Sequence, residues 1–312
     1  MTTPVLILTG PTGSGKSEWA LRLAQLWPVE IISVDSAQVF RGMDIGTAKP
    51  GTAARAAVAH HLLDILDPAQ TYSAGQFAQD AGALITQIRA RGHIPLLVGG
   101  TMLYLRALRF GLAQLPRASL SVRHSIDAQA AEQGWPAVHA QLAALDPPAA
   151  ARIHPNDAQR IQRALEVCRL TGQTLTSLQG ASPAALQGPA PIWALVPEAR
   201  RLLHERLASR FNQMMSQGFL DEVRALHGRG DLRADHASMR AVGYRQLWEH
   251  CDGHSTLSQA VERGLAATRQ LAKRQLTWLR GDAGIRILDP LAPGAFESWS
   301  LEVGVALSGF RR

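Results

Sequence analysis

Short apolar runs alternate with amphipathic stretches along the first third of the chain, and each kind predicts a different element. Val5-Leu6-Ile7-Leu8 contains no polar residue, the mark of a strand buried on both faces. It runs into Thr9-Gly10, and from Ser17 apolar positions recur at helical spacing as far as Leu26, until Pro28 ends the helix. Glu30–Val34 predicts a second strand that delivers Asp35-Ser36 just beyond its end. Ser73–Arg91 predicts another helix. Ile94–Val98 predicts a third buried strand, closed by Gly99-Gly100, with a helix from Thr101 to Arg109 behind it. Arg41–Gly51, rich in Gly and Pro, is a loop. Strands alternating with helices predict a parallel sheet with helices on both faces.

The pattern changes after Pro116. Residues 120–180 carry only helical periodicity, broken at Trp135-Pro136, Asp146-Pro147-Pro148 and Thr171-Gly172. A loop rich in Ala, Pro and Gly, Gly180–Pro191, leads into Ile192-Trp193-Ala194-Leu195-Val196, one more strand, and residues 198–278 are again mainly helical. Three segments follow: 1–116, the first part of an α/β core; 117–185, a helical insertion domain; and 186–312, the remainder of the core with C-terminal helices.

The 312 residues suffice for about two domains, and 46% apolar with 18% charged excludes an intrinsically disordered chain. No apolar run approaches the ~20 residues of a membrane span. No basic leader precedes Val5, so the expectation is no signal peptide, no membrane and a cytoplasmic location. Cys168 and Cys251 lie far apart without metal-ligand spacing, which fits reduced thiols. Net charge is +7, and residues 186–312 hold 17 basic against 13 acidic residues, so most of the excess sits there. Such a surplus suits either a polyanionic partner or a merely solubilising surface.

Gly10-Pro11-Thr12-Gly13-Ser14-Gly15-Lys16-Ser17 fits GxxxxGK[ST] between a strand and a helix, the context that motif requires. Its glycines let successive N–H groups point at one anion, the following helix adds its positive end, Lys16 neutralises an outer phosphate, and Ser17 offers a hydroxyl to Mg²⁺. The fold class is therefore α/β, a P-loop NTPase-like parallel core with a helical insertion. The motif identifies a polyphosphate, not which one. The strand Ile94–Val98 ends in Gly99-Gly100-Thr101 instead of the carboxylate that nucleotide hydrolysis needs there, which argues against a motor ATPase.

Asp35 sits at the carboxyl end of a strand, where open α/β sheets bind ligands. It suits a metal ligand or a proton acceptor, and equally a helix N-cap. Thr101 suits a cap or a functional hydroxyl in the same way. Gln38 carries a donor and an acceptor fitted to a nucleobase edge, whereas Asp44 reads as a turn residue. His60-His61 lacks a third ligand and is structural, and Trp135 and Trp193 fill core space. Arg263–Arg280 holds five basic and no acidic residues, and Arg269, Lys273, Leu276 and Arg280 fall on one helical face.

Together these blocks resemble one family. Gly10–Ser17, Asp35–Pro50, His60–Pro68, Pro95–Tyr104, Arg152–Ile161, Arg240–Gln246 and Lys273–Arg280 are similar, in order, to the tRNA dimethylallyltransferases. The resemblance implies Mg²⁺-assisted transfer of a dimethylallyl group from dimethylallyl diphosphate to N6 of an adenine. That adenine lies 3′ of the anticodon, in the anticodon stem-loop of tRNAs reading codons that begin with U. It implies Asp35 as general base, Thr101 near the same amine, Lys16 at the leaving group, and Arg123 and Arg210 around substrate and diphosphate. The implied tRNA contacts are Asp35, Ser36, Ala37, Gln38, Thr101 and Arg123. They continue through Gln159, Arg160, Ile161, Gln162 and Arg163, and then Arg240, Ala241, Val242, Gly243, Tyr244 and Arg245. The last block is Lys273, Arg274, Gln275, Leu276, Thr277, Trp278, Leu279 and Arg280. Phe40, Cys168 and Ser119-Leu120 depart from the family pattern, none of them in the phosphate loop. A monomer is expected. Two rival readings share the motif: a P-loop kinase of small molecules or nucleosides, and a non-catalytic RNA-binding protein with a nucleotide switch.

Overall fold

The computed structural model describes residues 3–113, 115–116, 118–179 and 184–308. Residue 117, the expected start of the insertion, and residues 180–183 of the Ala/Pro/Gly loop lie outside the described residues. The chain divides into two compact units, one formed by residues 1–108 with 186–312 and the other by 109–185.

The first unit is a six-stranded, all-parallel sheet: β1 (Leu6–Thr9), β2 (Val29–Val34), β3 (His60–His61), β4 (Ile94–Gly99), β5 (Ile192–Leu195) and β6 (Arg286–Leu288), in the order β3-β2-β4-β1-β5-β6. β1, β2, β4 and β5 are buried at every position, as expected of strands covered on both faces, β2 enclosing the polar Glu30 and Ser33 among its apolar residues. α3 (Ala74–Ala90) and α4 (Met102–Phe110) cover one face, where Ile7, Val34 and Leu97 meet Phe77, Ile85 and Leu105. α1 (Lys16–Ala24) and the last helix cover the other, with Trp19 and Leu23 packed among Leu8, Leu96, Trp193 and Trp299. Ser73 starts α3 through a reciprocal capping box with Gln76.

β3 and β6 were not expected. They are the two edges, two and three residues long, and lie partly in water, so no buried run marks them. The histidine pair is structural: His61 bonds Glu30 at 2.7 Å, and Arg91 and His93 bind the same carboxylate. Those hydrogen bonds, led by Arg91, hold Glu30 down to about 2.

After α2 (Thr52–Ala57) and the elements above, the chain enters the second unit: α5 (Leu120–Gln133), α6 (Trp135–Leu145), α7 (Pro147–Arg152), α8 (Ala158–Thr171) and α9 (Leu175–Leu178). These pack on their own core of Ile126, Val138, Leu142, Ile161 and Leu165, with Trp135 against it. Asp146 and Asp157 cap α7 and α8. A fully buried Glu166 carboxylate ties the unit together. It accepts from the Ser119 amide (2.8 Å), from Arg123 at 2.9 and 3.1 Å, and from Arg163 at 2.5 Å.

Back in the first unit, α10 (Arg200–Ser216), α11 (Phe219–His227), α12 (Tyr244–Cys251) and α13 (Leu257–Arg280) follow β5, and α14 (Ala295–Ser308) follows β6. α10 through α12 build a separate core on Phe211, Phe219, Tyr244, Leu247 and Trp248, into which Val39, Phe40 and Met43 of the loop after β2 are drawn. That loop thus has its position fixed from the C-terminal side of the sequence.

Candidate active site

Parallel strands deliver all their carboxyl ends to one edge of the sheet, and β4 lies between β1 and β2. The loop after β1 and Asp35 after β2 are therefore separated by Gly99-Gly100. Glycine is demanded here by space: a Cβ on Gly99 would lie 2.2 Å from the Val34 carbonyl oxygen, and one on Gly100 would lie 2.3 Å from Gln275 Nε2. The missing carboxylate at the end of β4 is thus replaced by close packing.

Residues 10–17 form the expected anion loop. Gly10 takes φ +145° with no room for a Cβ against the Leu195 carbonyl, and Gly15 takes φ +95° immediately before α1. The first-turn amides of α1 have no intrahelical acceptor, which presents them to an anion. Ser14 Oγ is buried without a hydrogen-bond partner among the described residues, an orphan that a phosphate oxygen would satisfy. Lys16 Nζ donates to the Pro11 carbonyl at 2.7 Å. Desolvation, reinforced by the nearby Arg210 charge, lowers Lys16 to about 7, with Asp35 opposing the fall. The folded chain therefore favours the neutral amine, and protonation below about pH 7 costs stability that returns as pH rises toward the unfolded value.

Arg210, on α10, is likewise held below its ordinary value by burial, with Asp35 opposing, and has no hydrogen-bond or ion-pair partner among the described residues. Asp35, Lys16 and Arg210 thus share one electrostatic neighbourhood. Asp35 is half-buried, and its Oδ1 accepts from the amides of Ala37 (2.8 Å) and Gln38 (3.3 Å). The turn-forming role and the site position coexist, one carboxylate oxygen serving the turn. Thr101 resolves similarly: its backbone carbonyl starts α4, while its Oγ1 accepts from the Ser36 amide at 3.1 Å, tying the end of β4 to the Asp35 loop.

Two residues position the site in ways the sequence analysis did not expect: Glu222, which it did not single out, and Gln275, which it placed among the tRNA contacts. Gln275 of α13 accepts from the Thr12 amide and donates to the Gly100 carbonyl, both at 2.9 Å, clamping the anion loop to the end of β4. Glu222 of α11 accepts from the amides of Asp44 (2.8 Å), Ile45 (2.7 Å) and Gly46 (3.1 Å) and from the Tyr244 hydroxyl. Gln38, expected to read a base edge, holds this same loop: it accepts from Ser33 Oγ and donates to the Thr47 and Ala48 carbonyls. No local pattern announces such partners, which lie up to 263 residues apart.

Beside the anion loop is a crevice of about 80 Å³ whose lining mixes Thr12, Thr47, Arg210 and Thr268 with Leu207, Phe211, Met214, Phe219, Val242 and Leu271. A larger groove of about 610 Å³ adjoins it, with Gly13, Gly15, Arg206, Arg210 and Gln213 in its walls.

Several expected RNA-contacting side chains are buried. Ile161 and Tyr244 are fully enclosed, and Gln275, Leu276 and Leu279 face the interior. The reason is geometric, since successive residues of a helix turn by about 100° and a contiguous segment cannot all face outward. Gln159 and Arg160 of α8 are exposed, Gln162 donates to Asp127, and Arg163, like Arg123, holds Glu166 inside the second unit. Arg240 and Arg245 are exposed, and Ala241, Val242 and Gly243 turn inward between them. On α13, Lys273, Arg274, Thr277, Trp278 and Arg280 are exposed, while Leu276 falls out of the basic face by packing on Leu203 and Leu207.

Among the described residues no three His, Cys, Asp or Glu side chains converge as a metal site. The chain's own ligand to a magnesium ion would be the exposed Ser17 hydroxyl, which suits an ion that takes most of its ligands from phosphate and water.

A parallel α/β fold with an anion loop after its first strand, an adjoining crevice and a facing carboxylate defines a phosphate-binding enzyme of the P-loop type. The IPP transferase family profile matches residues 38–282. A tRNA dimethylallyltransferase of Alkalilimnicola ehrlichii is 57% identical over 284 residues, covering 91% of this chain and 90% of that one. The crystal structure of the tRNA isopentenylpyrophosphate transferase of Bacillus halodurans superposes with a TM-score of 0.70 at 36% identity, covering 98% and 97% of the two chains. A eukaryotic dimethylallyltransferase acting on tRNA gives a TM-score of 0.78 at 25% identity, covering 99% of this chain and 79% of the other. The chain belongs to the IPP transferase family.

Binding inorganic diphosphate above pH 7 should draw a proton onto Lys16. Calorimetry at pH 8 in buffers of different ionisation enthalpy is expected to show this uptake in wild type and its loss in Lys16→Met. Equal uptake by both proteins would remove Lys16 from the anion site. Gln275→Leu should weaken diphosphate binding about tenfold by freeing the Thr12 amide, the effect of roughly one hydrogen bond. An unchanged affinity would show that the clamp does not shape the loop.

Proposed function

We propose that this chain is a tRNA dimethylallyltransferase that joins C1 of dimethylallyl diphosphate to the exocyclic N6 of the adenine 3′ of the anticodon. The observation that carries this is the shared neighbourhood of Asp35, Lys16 and Arg210, a carboxylate facing an anion cradle with a crevice beside it. As C1–O breaks, the electron pair leaves with diphosphate. The loop amides, Lys16 and Arg210 meet that developing charge, which is electrostatic catalysis aimed at the leaving group.

The adenine amine is a poor nucleophile because its lone pair is delocalised into the ring. An allylic diphosphate offsets this by ionising readily once its charge is neutralised. N6–C1 forms, and the N6 proton passes to Asp35, whose second oxygen is not tied into the turn. Thr101 keeps the Asp35 loop in register through Ser36. A magnesium ion held by Ser17 and the diphosphate oxygens would supply further neutralisation of the leaving group.

The target base must leave its stack, at a cost of a few kcal/mol, and the exposed cations of α13 supply backbone attraction. Among the described residues no helix is long and apolar enough to cross a membrane.

Mass spectrometry of tRNA nucleosides after incubation with protein, Mg²⁺ and dimethylallyl diphosphate is expected to reveal N6-dimethylallyladenosine. Asp35→Asn should lower kcat by about 10²–10⁴-fold while tRNA binding persists. Unchanged turnover would remove Asp35 as the base, and phosphate transfer from labelled ATP without prenyl transfer would favour the kinase reading. Arg274→Ala should weaken tRNA binding and reduce its salt slope by about one, leaving diphosphate affinity unaltered. Equal loss for both ligands would count against that surface.

A further inference from the structure

A continuous run of hydrogen bonds leads from α11 back to Asp35. It begins at Glu222, which accepts from three successive amides, those of Asp44, Ile45 and Gly46, and from the Tyr244 hydroxyl. Amides that converge in this way form an anion nest, and here a carboxylate of the chain itself fills it. Tyr244 is fully buried and packs on Phe219 at 4.9 Å, so the core fixes the carboxylate as well. Within the loop, the Lys49 ammonium donates to the Phe40 carbonyl, to Asp44 and to Asp64.

The loop held in this way follows a strained path. Ala48 lies at φ +48°, a left-handed conformation that a residue with a Cβ keeps only where surrounding contacts over-determine it. The carbonyls of Thr47 and Ala48 accept from Gln38 Nε2 at 3.2 and 3.4 Å, and Gln38 Oε1 accepts from Ser33 Oγ on β2 at 2.9 Å. The Gln38 amide in turn donates to Asp35 Oδ1 at 3.3 Å, beside the Ala37 amide at 2.8 Å. Glu222 thus holds residues 44–46, residues 47 and 48 hold Gln38, and Gln38 holds one oxygen of the Asp35 carboxylate. The other oxygen stands outside this turn.

We infer that Glu222 is a positioning residue for Asp35, aiming the second carboxylate oxygen at the substrate amine through residues 44–48 and Gln38. The inference rests on the transferase reading above, with Asp35 as its base. The nest calls for a carboxylate: a glutamine amide has one accepting oxygen and two N–H donors, so Gln at this position would set N–H against N–H. Hydrogen bonds to a charged acceptor are also the stronger ones. Misplacing a reacting group by about 1 Å lowers a rate by on the order of 10²-fold, even when the substitution lies far from the chemistry. The effect of Glu222 should therefore fall on kcat, and should vanish once residue 35 can no longer take a proton.

The test measures kcat at saturating tRNA, and KM for dimethylallyl diphosphate, by nucleoside mass spectrometry. The proteins are wild type, Glu222→Gln, Glu222→Asp and Gln38→Leu, each also combined with Asp35→Asn, with thermal midpoints as a check on folding. Glu222→Gln and Gln38→Leu should each lower kcat about 10–100-fold and leave KM nearly unaltered. Glu222→Asp, which keeps the charge and retracts it by one carbon, should lose less than Glu222→Gln. In the Asp35→Asn background none of the three should lower kcat further, the non-additivity of residues that act as a unit. Equal losses in both backgrounds would overturn the inference, as would an unaltered kcat or a loss confined to KM. If Glu222→Gln does not fold, Glu222→Asp and Gln38→Leu decide by the same criterion. A wild type that transfers no prenyl group would instead overturn the transferase reading, and a wild-type rate in Asp35→Asn alone would overturn Asp35 as the base.

Discussion

Two cations, Lys16 and Arg210, are held close together at the end of the sheet, and desolvation together with the Arg210 charge lowers the hold of Lys16 on its proton. Its amine is favoured in the neutral form, its one hydrogen bond goes to a loop carbonyl, and Arg210 next to it has no counter-ion contact. Only Asp35 opposes these two cations, and its half-buried carboxylate is partly engaged in its own turn. An incoming diphosphate therefore relieves an existing electrostatic imbalance as it binds. A leaving diphosphate, as its charge develops, meets the same field already oriented. Preorganisation of this kind is what makes fixed charges effective at a developing charge.

The rest of the first unit maintains that imbalance. Gln275 fixes the anion loop against β4, Gly99 and Gly100 allow the approach, and Thr101 holds the Asp35 loop from the same strand end. Glu222 and the aromatic pair Phe219–Tyr244 then lock residues 44–46 over the crevice. Gln275, Glu222, Phe219 and Tyr244 belong to α11, α12 and α13, so the C-terminal third of the chain braces the anion loop and the Asp35 loop, and α10 adds Arg210 to them. α13 is bifacial in function: Gln275 and Leu276 point to the loop and core, while Lys273, Arg274 and Trp278 point to solvent. Its exposed cations and its loop clamp thus ride on one rigid element.

The second unit shows the same economy with charge. Glu166 is completely buried and is tolerated because Arg123, Arg163 and the Ser119 amide saturate it. Two arginines that resemble substrate contacts in the sequence are thereby committed to the insertion's own architecture.

The strands β1, β2, β4 and β5, the anion loop and the position of Asp35 at a strand end were determined by the chain locally. Short, largely apolar runs bounded by turn residues mark strands buried on both faces, and glycines spaced around a lysine between strand and helix mark the anion loop. What only the tertiary structure decided is which side chains finish the site. Gln275 and Tyr244 both stand among the tRNA contacts that the resemblance implies, until helical rotation and packing turn them inward. The edge strands β3 and β6 were equally invisible, because pairing at a sheet edge needs backbone alone and imposes no pattern on side chains. A residue's type and local spacing fix what it is able to do, but the direction in which it points depends on partners hundreds of positions away, and those meet only when the chain has closed.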